Sequence, residues 1–274
     1  MSMKTKLLSI LALVALLGCD NGIKPASLDE IVQATCILHD GLGQGVLVGF
    51  NDMPTERVFL LTARHVATFN GAPKNEVHVR IANQCPMTIT NSYNRWLTAK
   101  PGLDVAWIEL NADEIASLRN KNSLKYIAIT NGPNAIANKG IPGTNANGFE
   151  YIIRAKRSST SAVTLFFRNA RLDAVAENTI FEDGQFQSDY NNIYKIVTSR
   201  FVGATASVNT PKGESGGAVA AKVRYGSTDY WMLCGIIIGG RINPPTHCAI
   251  APIGEPLMEM RYCNRLLKDY PELW

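Results

Sequence analysis

The sequence predicts an all-β fold, a sandwich or barrel of short strands, with one helix at its C-terminal end. Three observations predict it. Runs rich in Val, Ile, Leu, Phe and Thr recur along the chain, and Gly, Asn, Asp and Pro separate them. Sustained helical periodicity is nearly absent before position 257. With 274 residues, 46% hydrophobic and 18% charged, the chain can bury one large core or two small ones.

The first segment is set apart from the fold. Met1 to Lys6 is short and basic, and Leu7 to Leu17 is apolar apart from Ser9. That run is too short to span a bilayer as a helix, which takes about 20 residues, and it reads as a signal peptide over 1–18. It ends in Leu16-Leu17-Gly18-Cys19, which resembles a bacterial lipobox and makes Cys19 the expected lipid-bearing residue. The expected location is therefore the cell envelope, facing the periplasm or the exterior, with residues 19–27 as a tether.

Strand-like runs follow at 31–38, 45–50, 58–63, 77–82 and 104–110, with a short helical candidate at 112–119. Segment 131–149 is rich in Gly and Asn and reads as loops. Further runs lie at 162–172, 194–202, 217–223 and 230–238, with a polar surface excursion at 182–192. At the C-terminus Leu257, Met260, Cys263, Leu267 and Tyr270 fall on one helical face, and Pro256 suits a first turn.

The formal charge of +4 is weak and scattered, with no basic run, which argues against a nucleic-acid partner. Export would permit disulfides. Five cysteines follow Cys19, an odd number: Cys36, Cys85, Cys234, Cys248 and Cys263. None forms a C-x-x-C pair and no His/Cys cluster has zinc spacing, so neither a metal nor a cofactor is expected. The adjacent His247 and Cys248 read as incidental.

Three segments carry chemistry. Gly213-Glu214-Ser215-Gly216-Gly217 sets a hydroxyl among glycines, Leu61-Thr62-Ala63-Arg64-His65 ends an apolar run on a histidine, and Asp104 opens Val105-Ala106-Trp107-Ile108. A serine hydroxyl is a weak nucleophile that needs a base, and the base needs an orienting partner. Ser215 is the candidate nucleophile, His65 the base and Asp104 the group that fixes its tautomer. The N–H groups of Gly213 and Ser215 are candidate donors to an oxyanion. His39 and His78 lie in strand-like runs and read as structural.

On these segments the chain resembles the trypsin/chymotrypsin-like serine peptidases, over most of residues 28–270. Thr62-Ala63-Arg64-His65 is similar to that family's T-A-A-H, Asp104-Val105-Ala106 to its D-[IV]-A, and Gly213 to Ala218 to its G-D-S-G-G-P; Gln44 to Val48 is similar to the strand before its histidine. The resemblance implies two six-stranded antiparallel β-barrels, over 28–120 with His65 and Asp104 and over 121–256 with Ser215. A helix over 257–274 would pack on them. It also implies a substrate pocket at Asn209, Ile238, Gly239 and Gly240 for small or medium uncharged side chains, and bridges Cys36–Cys85 and Cys234–Cys248, with Cys263 left over. Arg64, Glu214, Ala218 and Ile238 depart from the family pattern.

The expected function is a lipid-anchored serine endopeptidase acting on a protein or peptide through an acyl-enzyme. The alternative is a catalytically weak or inactive binding module on the same fold. An α/β-hydrolase esterase would need its acid and histidine downstream of the serine, where only His247 lies.

Overall fold

The computed structural model describes residues 28–50, 56–69, 72–73, 75–81, 86–99, 103–121, 123–129, 151–158, 163–170, 172–182, 200–206, 213–225, 228–240 and 248–262. The signal peptide, Cys19, Asn209 and the segment 131–149 lie outside them. The protein is mostly β, with antiparallel sheets and a C-terminal helix.

The first sheet contains β1 (Thr35–Leu38), β2 (Gly43–Phe50), β3 (Arg57–Thr62), β6 (Val77–Arg80), β7 (Pro86–Ile89), β8 (Trp96–Thr98), β9 (Ala106–Glu109) and β10 (Ile127–Ala128). Their order is β7-β6-β1-β2-β3-β9-β8, and β10 lies parallel to β2. A hairpin of β4 (Thr68–Phe69) and β5 (Ala72–Pro73) stands apart. The second sheet runs β12 (Val163–Ala170), β11 (Tyr151–Ser158), β15 (Ala218–Tyr225), β16 (Thr228–Gly240), β17 (Cys248–Pro252), β14 (Arg200–Ala206) and β13 (Leu172–Glu182). The sheets thus hold eight and seven strands, where the resemblance implied six in each.

Every residue of β2 is buried, as a central strand of Val, Leu and Phe requires. Trp96 and Trp107 fill the core beside it. At the far end of this sheet, α3 (Ala112–Asn120) starts with a capping box in which the Asn111 side chain accepts from the Glu114 N–H and the Glu114 side chain accepts from the Asn111 N–H. Arg95 grips the Glu114 carboxylate through two bonds of 2.8 and 2.7 Å, and Arg57 does the same to Glu109 at 2.6 and 2.7 Å. Glu56 bridges Arg119 and the Tyr126 hydroxyl. Burial first, and then the bond to Glu56, push the Tyr126 hydroxyl up to about 12.

Two helices tie the sheets together. The C-terminal helix α4 (Gly254–Tyr262) begins three residues earlier than expected, with Pro256 inside its first turn; it buries Leu257 and Met260 and sets the Arg261 guanidinium 5.4 Å from the Phe50 ring of β2. Its N-terminal counterpart α1 (Leu28–Ala34) lies against β2, β10 and β16. It corrects the strand expected over 31–38, of which only β1 is extended. Ile31 and Ala34, a helical step apart, are fully buried, and Asp29 and Glu30 stand in the first turn where a helix favours acid.

The expected disulfides are corrected as well. Cys36 and Cys234 are buried thiols, with Sγ 3.6 Å from the Ala34 carbonyl and 3.4 Å from the Val219 carbonyl. Cys248 lies opposite Gly240, six positions along β16 from Cys234. That is about 20 Å of strand, against a Cα separation below about 7 Å in a bridge. Cys85 and Cys263 are outside the described residues. His39 is not in a strand either: it opens a short 3₁₀ turn with φ 48° and meets the His78 ring edge-on at 6.3 Å.

Candidate active site

The register of β3 and β9 brings the histidine and the aspartate together. Thr62, the last residue of β3, pairs with Ala106, the first of β9. The chain just beyond Thr62 therefore meets the chain just before Ala106. Beyond Thr62 it winds into the short helix α2 (Arg64–Ala67) and turns His65 back toward Asp104. The Asp104 carboxylate is held at both oxygens: the His65 N–H donates to Oδ1 at 3.0 Å, and His65 Nδ1 lies 2.6 Å from Oδ2. The Arg64 N–H donates to the Asp104 carbonyl at 3.3 Å. Histidine and carboxylate are both 3% exposed, so water screens their interaction little. A carboxylate accepts only, so it fixes the proton on Nδ1 and leaves the lone pair on Nε2, the arrangement of a general base.

The serine sits in a turn whose shape needs its glycines. Gly213 and Gly216 have φ of 89° and 85°. A Cβ on Gly216 would stand 2.0 Å from the Gln44 carbonyl oxygen and 2.4 Å from Thr62 Oγ1, so no larger residue fits. The turn rests on the start of β2 and the end of β3, where Thr62 stands three residues before His65. The Gln44 N–H donates to the Ser215 carbonyl at 2.7 Å, and Thr62 Oγ1 donates to the Gln44 carbonyl at 2.6 Å. On its other side Gly216 N–H donates to Ile237 O at 2.7 Å and Ile237 N–H to Gly217 O at 2.9 Å. Among the described residues, the N–H groups of Gly213 and Ser215 donate to no carbonyl. Ser215 is 7% exposed, and its hydroxyl makes no hydrogen bond to a described residue.

The structure therefore joins His65 to Asp104 directly and sets the Ser215 turn on the strand leading to them. Ile238 is buried where the β16–β17 register shifts between Ile237 and Gly239, and Gly239 and Gly240 pair with Ala249 and Cys248. Arg64 is buried beside the dyad. Desolvation pulls its guanidinium below its ordinary value, and the Asp104 charge partly restores it. Sequence reasoning treated Gln44 only as part of a strand and Thr62 only as part of a motif. A polar residue inside an otherwise apolar β2 was the available signal.

Neither a family model nor a curated protein matches the sequence. Among solved structures, the chain is similar to a protease of M. tuberculosis in its active form, at 13% identity and TM-score 0.49, covering 88% of each chain. It is similar to the MamO protease domain of Magnetospirillum magneticum at 11% identity and TM-score 0.49, covering 84% of this chain and 97% of that one. It is also similar to tobacco etch virus protease complexed with product at 13% identity and TM-score 0.49, covering 89% and 83%.

Proposed function

We propose that this protein is a serine endopeptidase with a trypsin-like pair of β-barrels, held to the cell envelope by a lipid on Cys19. The observation that carries the reading is the 2.6 Å contact of His65 Nδ1 with Asp104 Oδ2, made while the His65 N–H holds the other carboxylate oxygen. Few structural roles require an imidazole to be fixed at two points by one buried acid. A general base does.

In this reading His65 Nε2 takes the proton as Ser215 Oγ attacks the scissile carbonyl. The Gly213 and Ser215 N–H groups receive the oxyanion, and the proton passes to the leaving amine. Water then repeats the sequence on the acyl-enzyme. Asn209, Ile238, Gly239 and Gly240 would line the pocket for the residue before the cut. A buried isoleucine there is consistent with small or medium uncharged side chains.

The test is labelling of the chain from residue 20 onward with a fluorophosphonate, against its Ser215→Ala variant. The Oγ–P bond forms, the P–F bond breaks and His65 takes the proton. Labelling that vanishes with Ser215 supports the reading. A folded wild type that stays unlabelled overturns it.

A further inference from the structure

Gln44 is an anomaly for its position. It is 0% exposed, and neither Oε1 nor Nε2 of its side chain has a hydrogen-bond partner among the described residues. Each buried polar group left unmatched costs about 1–3 kcal/mol, whereas an apolar side chain of the same shape carries no such cost. The flanking positions show which face of β2 it occupies. A Cβ on Gly43 would strike Val66 at 2.4 Å, and one on Gly45 would strike Leu60 at 2.7 Å, so that face is already filled. The Gln44 side chain leaves from the opposite face. Its own main chain is the support of the nucleophile turn, through the 2.7 Å bond to the Ser215 carbonyl and the close approach of Gly216. An unmatched carboxamide thus sits on the residue that holds the turn from which the reaction would start.

We propose that the Gln44 carboxamide is a positioning group for the Ser215 turn, without a partner among the described residues in the resting enzyme and hydrogen-bonded once Ser215 carries a tetrahedral adduct. The inference rests on the serine-peptidase reading. Its physical basis is differential binding: an interaction missing in the ground state and present at the adduct lowers the barrier by its whole worth. The desolvation of the amide is already spent on folding, so the bond formed at the adduct is not offset by loss of water.

The test compares wild type, Gln44→Met and Ser215→Ala. Methionine keeps the length and buries without a polar group. Expected for Gln44→Met are an unchanged or higher Tm and a fluorophosphonate labelling rate about 10- to 100-fold lower, which matches one to two hydrogen bonds lost at the adduct. With a cleavable peptide the loss falls on kcat, and KM is unchanged. A labelling rate within twofold of wild type overturns the proposal, and so does a rate loss accompanied by a lower Tm, the mark of a packing role. Independently of the variant, a crystal structure of phosphonylated wild type must show the Gln44 amide bonded to the turn or the adduct. An amide still unpaired there overturns it. If wild type is never labelled, the peptidase reading itself fails. If wild type is labelled and Gln44→Met matches it, only this inference does.

Discussion

Gly216 passes directly over the Gln44 carbonyl, leaving 2.0 Å for a Cβ that glycine lacks, at a φ of 85°. Two independent constraints, steric and conformational, thus demand the same residue. Gly216→Ala is expected to lose at least about 2 kcal/mol of stability, since a left-handed non-glycine residue alone costs about 1–3 kcal/mol and the contact here is with backbone. Labelling of Ser215 should fall with it. A variant with wild-type Tm would show that the turn can be rebuilt elsewhere.

Asp104→Asn keeps the volume and removes the charge. An amide facing Nδ1 can present its N–H₂ and favour the wrong tautomer. The variant is expected to fold normally and to lose about 10⁴ in kcat. Normal turnover, measured beside an unaltered melting curve, would remove Asp104 from the mechanism.

The raised Tyr126 hydroxyl predicts an alkaline effect with a defined sign. The folded state keeps this proton up to about 12, whereas the unfolded chain releases it near the ordinary tyrosine value of about 10. Its contribution is therefore complete below about pH 10 and is lost as pH rises through about 12. Tyr126→Phe lacks this component, so the gap in Tm between wild type and variant should narrow between those values. A gap constant across the window would contradict the assignment.

Cys36 and Cys234 are thiols in the folded protein. After denaturation without reductant, mass spectrometry of the alkylated protein should find both modified. Finding either one blocked until reduction would contradict this arrangement.

The lipid proposal has its own test. Cys19→Ser is expected to move the protein from the membrane pellet to the soluble fraction. A variant that still pellets would mean that something other than Cys19 holds it.

The motif segments were the most legible part of the sequence, because chemistry restricts the residue types: a histidine ending one apolar run, an aspartate opening another and a serine among glycines. The pairing of His65 with Asp104 was expected from their chemistry and order, but the register of Thr62 against Ala106 that brings them together was not legible in either segment. Strands with a continuous apolar run, such as β2, β3 and β16, were found close to their true extent. The misses have local causes. Strand β7 starts at Pro86, which reads as a breaker yet is allowed at the first position of an end strand. The run expected at 194–202 continues as β14 through Gly203 and Ala204 to Ala206, poor strand formers held by pairing with β13 and β17 on both sides. Helix α1 was hidden by Ile31 and Val32, which suit a strand by propensity, although Ser27 three residues before Glu30 is a helix-start spacing.

The bond from the Gln44 backbone N–H to the Ser215 carbonyl crosses from one sheet to the turn that leads into the other. Neither half of the chain carries the turn in working form by itself. A copy still emerging from synthesis, or one whose halves have come apart, holds the Ser215 turn by its bonds to Ile237 alone, without the support of Gln44. Under the proposed function this would be a safeguard without an inhibitor: cutting would begin only once both halves have assembled and would end when they part.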